Sequence, residues 1–309
     1  MNPWSFVTKD VEAGELRVAY VDEGDPHAEP VVLLHGFPYD VHSYADVVPL
    51  LVDAGFRVVV PHLRGHGATR FLDDGAERSG QQAALGADLL ALLDALGLDQ
   101  PILAGYDWGG RAACVVAALW PERVAGLVSV NGYLIQDIAA SATPLRPDLE
   151  AGFWYFWYFA TERGRRGLEL DRRGIADVIW RRNSPEWRFT DAELERAAAA
   201  FDNPDYVDIV IHSYRHRLGL SPGSPRYEQL ERRLADQPAI VVPTITLDGT
   251  ADGNFPATDG SQHARLFTGY REHRQVVHAG HHLPAEAPHA FAEAILDIAE
   301  PPGDGAGTP

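Results

Sequence analysis

Short runs of consecutive apolar residues recur along the chain, separated by longer stretches whose apolar positions fall at helical spacing. Residues 31–34, 57–60, 102–104 and 124–130 have the length and composition of buried parallel strands. Residues 43–54, 79–98 and 112–119 read as helices; in the second, Leu85, Leu89, Leu92, Leu93 and Leu96 share a face. Residues 16–21 alternate apolar and polar, as an edge or half-buried strand does, and Gly24, Asp25 and Pro26 then turn the chain. From residue 133 the alternation of strands and helices stops. Trp154, Trp157, Trp180 and Trp187, four of the seven tryptophans, cluster there among Arg-rich and Ala-rich helical segments. Strand patterns return at 244–247 and 275–277, with helices near 262–267 and 287–298. The pattern predicts an α/β fold with a mostly parallel sheet covered on both faces. Its core is split into 1–132 and 238–300, a helical cap at 133–237 covers the active edge, and 301–309 forms a disordered tail.

At 309 residues the chain is long enough for one large core with an insertion. A hydrophobic content of 46% and a charged content of 23% are those of a soluble globular protein. The net charge of -18 disfavours nucleic acid and anionic membrane surfaces as partners. A small molecule is the expected partner, and the pattern leaves room for a homodimer. The lone cysteine, Cys114, cannot form an internal disulfide and reads as a packing residue on the helix at 112–119. The start of the sequence lacks the basic and apolar regions of a signal peptide, so a cytoplasmic location is expected.

The chemistry centres on Gly105-Tyr106-Asp107-Trp108-Gly109, between a strand and a helix. Glycines two residues either side of a central residue let the chain fold sharply enough to raise that side chain off the sheet edge. The following helix points its N–H groups at it. An ordinary strand-to-helix turn capped by aspartate is the alternative. A nucleophile of this kind needs an acid and a histidine further along, in that order. Asp248 and Asp252 compete for the first role, His281 and His282 for the second.

With these motifs in place, the chain resembles the α/β-hydrolases that use an aspartate nucleophile. It is most similar to epoxide hydrolases and more distantly to haloalkane and haloacetate dehalogenases. His35-Gly36-Phe37-Pro38 matches the family's oxyanion loop, Asp107 its nucleophile, Asp252 its acid and Gly280-His281 its base. His62 stands where the family often has aspartate. The resemblance implies oxyanion donors at the backbone N–H groups of Phe37 and Trp108, and lid tyrosines at Tyr155 and Tyr214, with Tyr158 as a substitute for Tyr155. It also implies that His35, Pro38, Trp108, Trp157 and Arg111 surround the substrate, although Arg111 alone reads as a helix-face arginine in a salt bridge. In haloacetate dehalogenases two arginines on the elbow helix hold the substrate carboxylate; Arg111 matches one and Trp108 replaces the other.

The choice of aspartate has a chemical consequence. A carboxylate with a reference pKa of ~3.9 is ionised at neutral pH and needs no base to attack. Attack at saturated carbon gives an ester that water can cleave, whereas serine would give an inert ether. The histidine then serves the second step by activating water, steadied by the acid. An epoxide oxygen needs a proton as it leaves, which a tyrosine supplies; a halide needs only a hydrogen-bond donor, for which the Trp108 indole suffices. Epoxide hydrolysis is the first expectation, dehalogenation the second, and a non-catalytic binder on the same scaffold the third. No cofactor or metal is expected, and the aromatic lid suits an apolar or aromatic substrate.

Overall fold

A computed structural model describes residues 6–300, so the expected disordered tail at 301–309 lies outside the described residues. Nine strands form one sheet: β1 (Lys9–Ala13), β2 (Leu16–Glu23), β3 (Pro30–Leu34), β4 (Arg57–Pro61), β5 (Arg70–Phe71), β6 (Ile102–Gly105), β7 (Gly126–Val130), β8 (Thr244–Gly249) and β9 (Arg271–Val276). Their order is β1-β2-β4-β3-β6-β7-β8-β9, with the short β5 pairing to β2. From β4 through β9 along that order all neighbours are parallel, while β1 and β2 are antiparallel additions at one edge. The central strands β6, β7 and β8 are buried at every position, because helices cover both faces.

Helices α1 (Val47–Asp53), α2 (Gln82–Leu96) and α3 (Asp107–Leu119) follow the early strands. Seven more occupy the chain between β7 and β8: α4 (Pro147–Gly152), α5 (Trp154–Ala160), α6 (Glu162–Leu170), α7 (Arg172–Asn183), α8 (Asp191–Ala198), α9 (Tyr206–Arg217) and α10 (Glu228–Ala235). They form the helical cap. The chain closes with α11 (Leu283–Glu286) and α12 (Pro288–Ala299). No helix among the described residues is long and apolar enough to cross a membrane.

Three local expectations need correction. The elbow helix starts at Asp107 and not at 112, since Gly109 and Gly110 dilute the helical pattern of its first turn. Residues 261–266 form a 3₁₀ helix rather than an α-helix. Strand β9 begins at Arg271, and the apolar reading at 275–277 catches only its end. As an edge strand of sequence Arg-Glu-His-Arg-Gln-Val it is only half-buried, which leaves little hydrophobic signal.

The register positions the site. Leu34 pairs with Gly105, and Gly105 with Ser129, so β3, β6 and β7 end at the same level. The loops carrying His35 to Pro38, Asp107 and Asn131 therefore leave the sheet side by side. This is the carboxyl edge where open α/β sheets place their ligands.

Candidate active site

Asp107 sits in the left-handed region, with φ of 49°, where a residue with a Cβ is strained. Close packing holds it there. A Cβ on Gly109 would lie 2.1 Å from the Leu34 carbonyl oxygen, and one on Gly36 would lie 2.5 Å from the Asp107 Cβ. The glycines thus let the β3 loop and the elbow meet backbone to backbone. That contact brings the Phe37 N–H to 2.8 Å from Asp107 Oδ1. The Trp108 N–H lies in the first turn of α3, where no helical acceptor exists. One carboxylate oxygen is therefore anchored on backbone, and the other is left free to react.

The free oxygen, Asp107 Oδ2, faces His281 Nε2 at 3.7 Å. On the far side of the imidazole, Nδ1 donates to Asp252 Oδ2 at 3.0 Å. Asp252 is itself fixed at both oxygens: Oδ1 accepts from the N–H groups of Asn254 and Phe255, each at 2.8 Å, and Oδ2 accepts from the Asn131 side chain at 3.3 Å. Burial pushes His281 down, but the carboxylates of Asp252 and Asp107 outweigh it and hold its pKa up to about 10. Burial raises Asp107, and the close His281 imidazolium together with the Phe37 N–H more than reverses this, leaving it below its ordinary value. The resting pair is thus carboxylate and imidazolium.

Two cap tyrosines roof this pair. Tyr155 on α5 and Tyr214 on α9 are buried, with ring centroids 5.4 Å apart and perpendicular. The Phe37 ring touches both and stacks on Trp108. Tyr155 Oη accepts from the Asn254 side-chain amide at 3.0 Å, which leaves its own proton free to donate. Tyr214 Oη and the Trp108 indole Nε1 are buried without partners. Burial, with the Asp107 charge adding, keeps both phenols above their ordinary pKa, so both stay protonated. Asn254 and Phe255 also line a cavity of about 300 Å³ between the cap and the core, and Phe255 stacks on His281.

The family model for the alpha/beta hydrolase fold matches residues 29–288. The chain belongs to the α/β-hydrolase family. Among curated relatives, this hydrolase is 28% identical to epoxide hydrolase A of Mycobacterium tuberculosis, over 93% of this chain and 95% of the relative. It is 36% identical to a haloalkane dehalogenase of Psychrobacter cryohalolentis, over 96% and 92%. A crystal structure of a candidate epoxide hydrolase from Klebsiella pneumoniae superposes with a TM-score of 0.94 at 46% identity, covering 97% of this chain and all of that one.

Other residues singled out in the sequence of this hydrolase fall elsewhere. Trp157 does not line the site: it is 49% exposed and donates its indole N–H to Glu150, because it lies on the outer face of α5. His35 has both ring nitrogens engaged, Nδ1 to the Gly36 carbonyl and Nε2 to the Leu63 N–H, so it braces the loop. The Pro38 carbonyl accepts from the Trp180 indole and ties the loop to the cap. Arg111 is buried without the expected salt bridge. Tyr158 packs against Gly167, away from Tyr155's hydroxyl partner. Asp248 accepts from Thr258, and His282 is enclosed by Tyr39, Trp180 and Trp187 with both nitrogens unpartnered. Cys114 is buried, as its position suggested.

Several residues of the site lay outside the sequence reading. Asn131 and Asn254 hold Asp252 and Tyr155. The backbone carbonyl of Asn183, at the end of α7, accepts from the N–H groups of both Gly253 and His281, so the cap end pins the acid loop and the base loop together. Glu286 accepts from the N–H groups of Gly280 and His282 and clamps the base loop from below. The Asn131-Gly132 pair after β7 was the one usable signal, since Asn takes the left-handed conformation it shows there, φ 65°.

Proposed function

We propose that this α/β-hydrolase opens epoxides to vicinal diols through an ester at Asp107. The observation that carries the reading is the Asn254–Tyr155 hydrogen bond, in which the Tyr155 oxygen accepts and so keeps its proton free to donate, in a buried phenol close enough to Asp107 for its charge to act on it. Asp107 Oδ2 attacks an epoxide carbon, the carbon–oxygen bond breaks, and the departing oxygen takes its proton from Tyr155 or Tyr214. The ester removes the negative charge beside His281. Its imidazolium then loses one of the two carboxylates that hold its proton, and it releases that proton to solvent as its pKa falls toward the range of a working base.

In the second step neutral His281 Nε2 takes a proton from water while the hydroxide adds to the Asp107 carboxyl carbon. The Phe37 and Trp108 N–H groups receive the oxyanion. Asp107 Oδ1 rests on the Phe37 N–H before reaction, so the oxygen that becomes the ester carbonyl is already in place. Collapse of the intermediate releases the alkoxide arm of the diol, which takes a proton from the imidazolium and leaves Asp107 as the acid; that proton passes back to His281 and restores the resting pair, and the tyrosinate is reprotonated from solvent. Atoms balance as epoxide plus water to diol. Asp252 holds the imidazole in orientation throughout.

A second reading, release of halide from a carbon–halogen bond, is favoured by the buried, unpartnered Trp108 indole N–H beside the nucleophile. Parallel assays on an aryl epoxide, a haloalkane and a haloacetate separate the two. Diol formation from the epoxide is expected; halide release without any diol overturns the first reading in favour of the second.

A further inference from the structure

Phe255 touches both the acid and the base. Its backbone N–H donates to Asp252 Oδ1 at 2.8 Å, and its ring stacks on the His281 imidazole, with 15° between the planes and 5.5 Å between the centroids. The ring is braced from the cap, where Phe153, between α4 and α5, packs edge-to-face against it at 5.2 Å. Phe153 and Phe255 both line the cavity of about 300 Å³. His281 does not line it and is only 1% exposed.

The titratable groups around the imidazole are few. Asp252 lies on Nδ1 and Asp107 faces Nε2. Glu286 sits under the loop, bonded to the N–H groups of Gly280 and His282 on either side of His281. Tyr106 meets the ring edge-to-face at 6.2 Å and stays protonated, since burial lifts its pKa well above the ordinary phenol range. His282 stays neutral, since burial and the charge of His281 pull its pKa well below that of an ordinary imidazole. An aromatic face carries negative potential and attracts a cation within about 6 Å of its centroid, more strongly where water is excluded. Once Asp107 is an ester its charge no longer supports the His281 proton, and Asp252, Glu286 and the Phe255 face remain.

Resting on the two-step reading of the site, we propose that Phe255 is a positioning residue of the second step: its ring holds the His281 imidazolium by a cation–π contact and so sets how basic His281 is once the ester has formed. Its backbone steadies the acid and its side chain steadies the charge that the acid orients. A mere hydrophobic shield would act with the opposite sign. Losing a shield relieves burial and raises the pKa of the imidazole, whereas losing a cation–π contact lowers it.

The test replaces Phe255 by pentafluorophenylalanine, which keeps the shape of the ring and removes the negative potential of its face. The His281 ring is titrated by NMR in the Asp107→Asn background, where the missing charge imitates the ester and no substrate is needed. Fluorination should lower the pKa of His281 by about half a unit to one unit, and Phe255→Leu should lower it as well. Phe255→Tyr, with its aromatic face intact, should stay near the parent value. A pKa unmoved or raised by fluorination overturns the proposal, as does a fall in Phe255→Tyr as large as that in Phe255→Leu. With Asp107 intact, the acidic limb of ester hydrolysis on an aryl epoxide should move to lower pH by the same amount as the titration, read by rapid quench. The titration stands apart from the epoxide reading: a shift with no epoxide opened supports the role of Phe255 and removes only the substrate, and epoxide opening without a shift overturns the role of Phe255 alone.

Discussion

Asn254 donates its side-chain amide to the hydroxyl of Tyr155 at 3.0 Å, while its backbone N–H holds the Asp252 carboxylate at 2.8 Å. One residue of the acid loop therefore holds both the phenol that the proposed mechanism uses as proton donor and the carboxylate that it uses to orient His281. Replacing Asn254 by Ala keeps the backbone bond and removes the amide. Ring opening should slow by about tenfold, with a smaller effect on ester hydrolysis. Rapid-quench kinetics on an aryl epoxide separates the steps, and equal slowing of both contradicts the assignment.

His281 owes its high pKa to two carboxylates. In Asp107→Asn one of them is gone, so the imidazole should titrate well below the value of about 10 it has in the native protein. An NMR titration of the ring resonances reads this directly. The same shift bears on stability. The folded pKa lies above the unfolded value of ~6.5, so the proton on His281 stabilises the fold fully below pH ~6.5, and that contribution is lost as the pH rises toward about 10. Denaturant unfolding should show a decline across this window that is smaller in His281→Gln.

His281→Gln should also let the ester accumulate, since the substitution removes the base of the second step and leaves Asp107 intact. Intact-protein mass spectrometry after mixing with substrate should show an adduct of substrate mass. Ester turnover at the native rate would move the base elsewhere.

Trp157 tests the opposite side of the account. Its side chain is half in solvent and bonded to Glu150. Trp157→Ala should change kcat and KM by no more than about twofold, the scale of a surface substitution. A large rise in KM would return this residue to the substrate site.

Removing the Glu286 carboxylate should cost stability without abolishing chemistry. In Glu286→Ala the Gly280 N–H loses its acceptor, at about 1–3 kcal/mol, while the His282 N–H keeps Ser184 Oγ at 3.1 Å. A lowered midpoint in denaturant with catalysis retained under native conditions is the expected result.

What could be read from the sequence follows from how local each signal is. The elbow is local: Gly105 and Gly109 exist to let Asp107 take a left-handed turn, and the turn can be seen in five consecutive residues. The apolar strands are local too, because burial on both faces demands it. Asn131, Asn183 and Asn254 are different. Each acts on a partner far along the chain, through a single amide or carbonyl whose value depends on where the fold brings it. Choosing Asp252 over Asp248 needed the family resemblance, since both follow β8; the hydrogen bonds to Thr258 show why Asp248 is occupied elsewhere. Trp157 was misplaced because a run of aromatic residues on one helix does not say which of them face inward. Arg111 lacked its salt bridge because the side chain its guanidinium meets, Gln82 of α2, is a neutral amide and not a carboxylate.

The central claim is a covalent ester at Asp107, and single turnover in ¹⁸O-labelled water with the enzyme in excess tests it most directly. Peptide mass analysis afterwards should find the label in the Asp107 carboxylate, because water attacks the carboxyl carbon. Label confined to the diol would mean that water attacks the substrate itself, and would contradict the account.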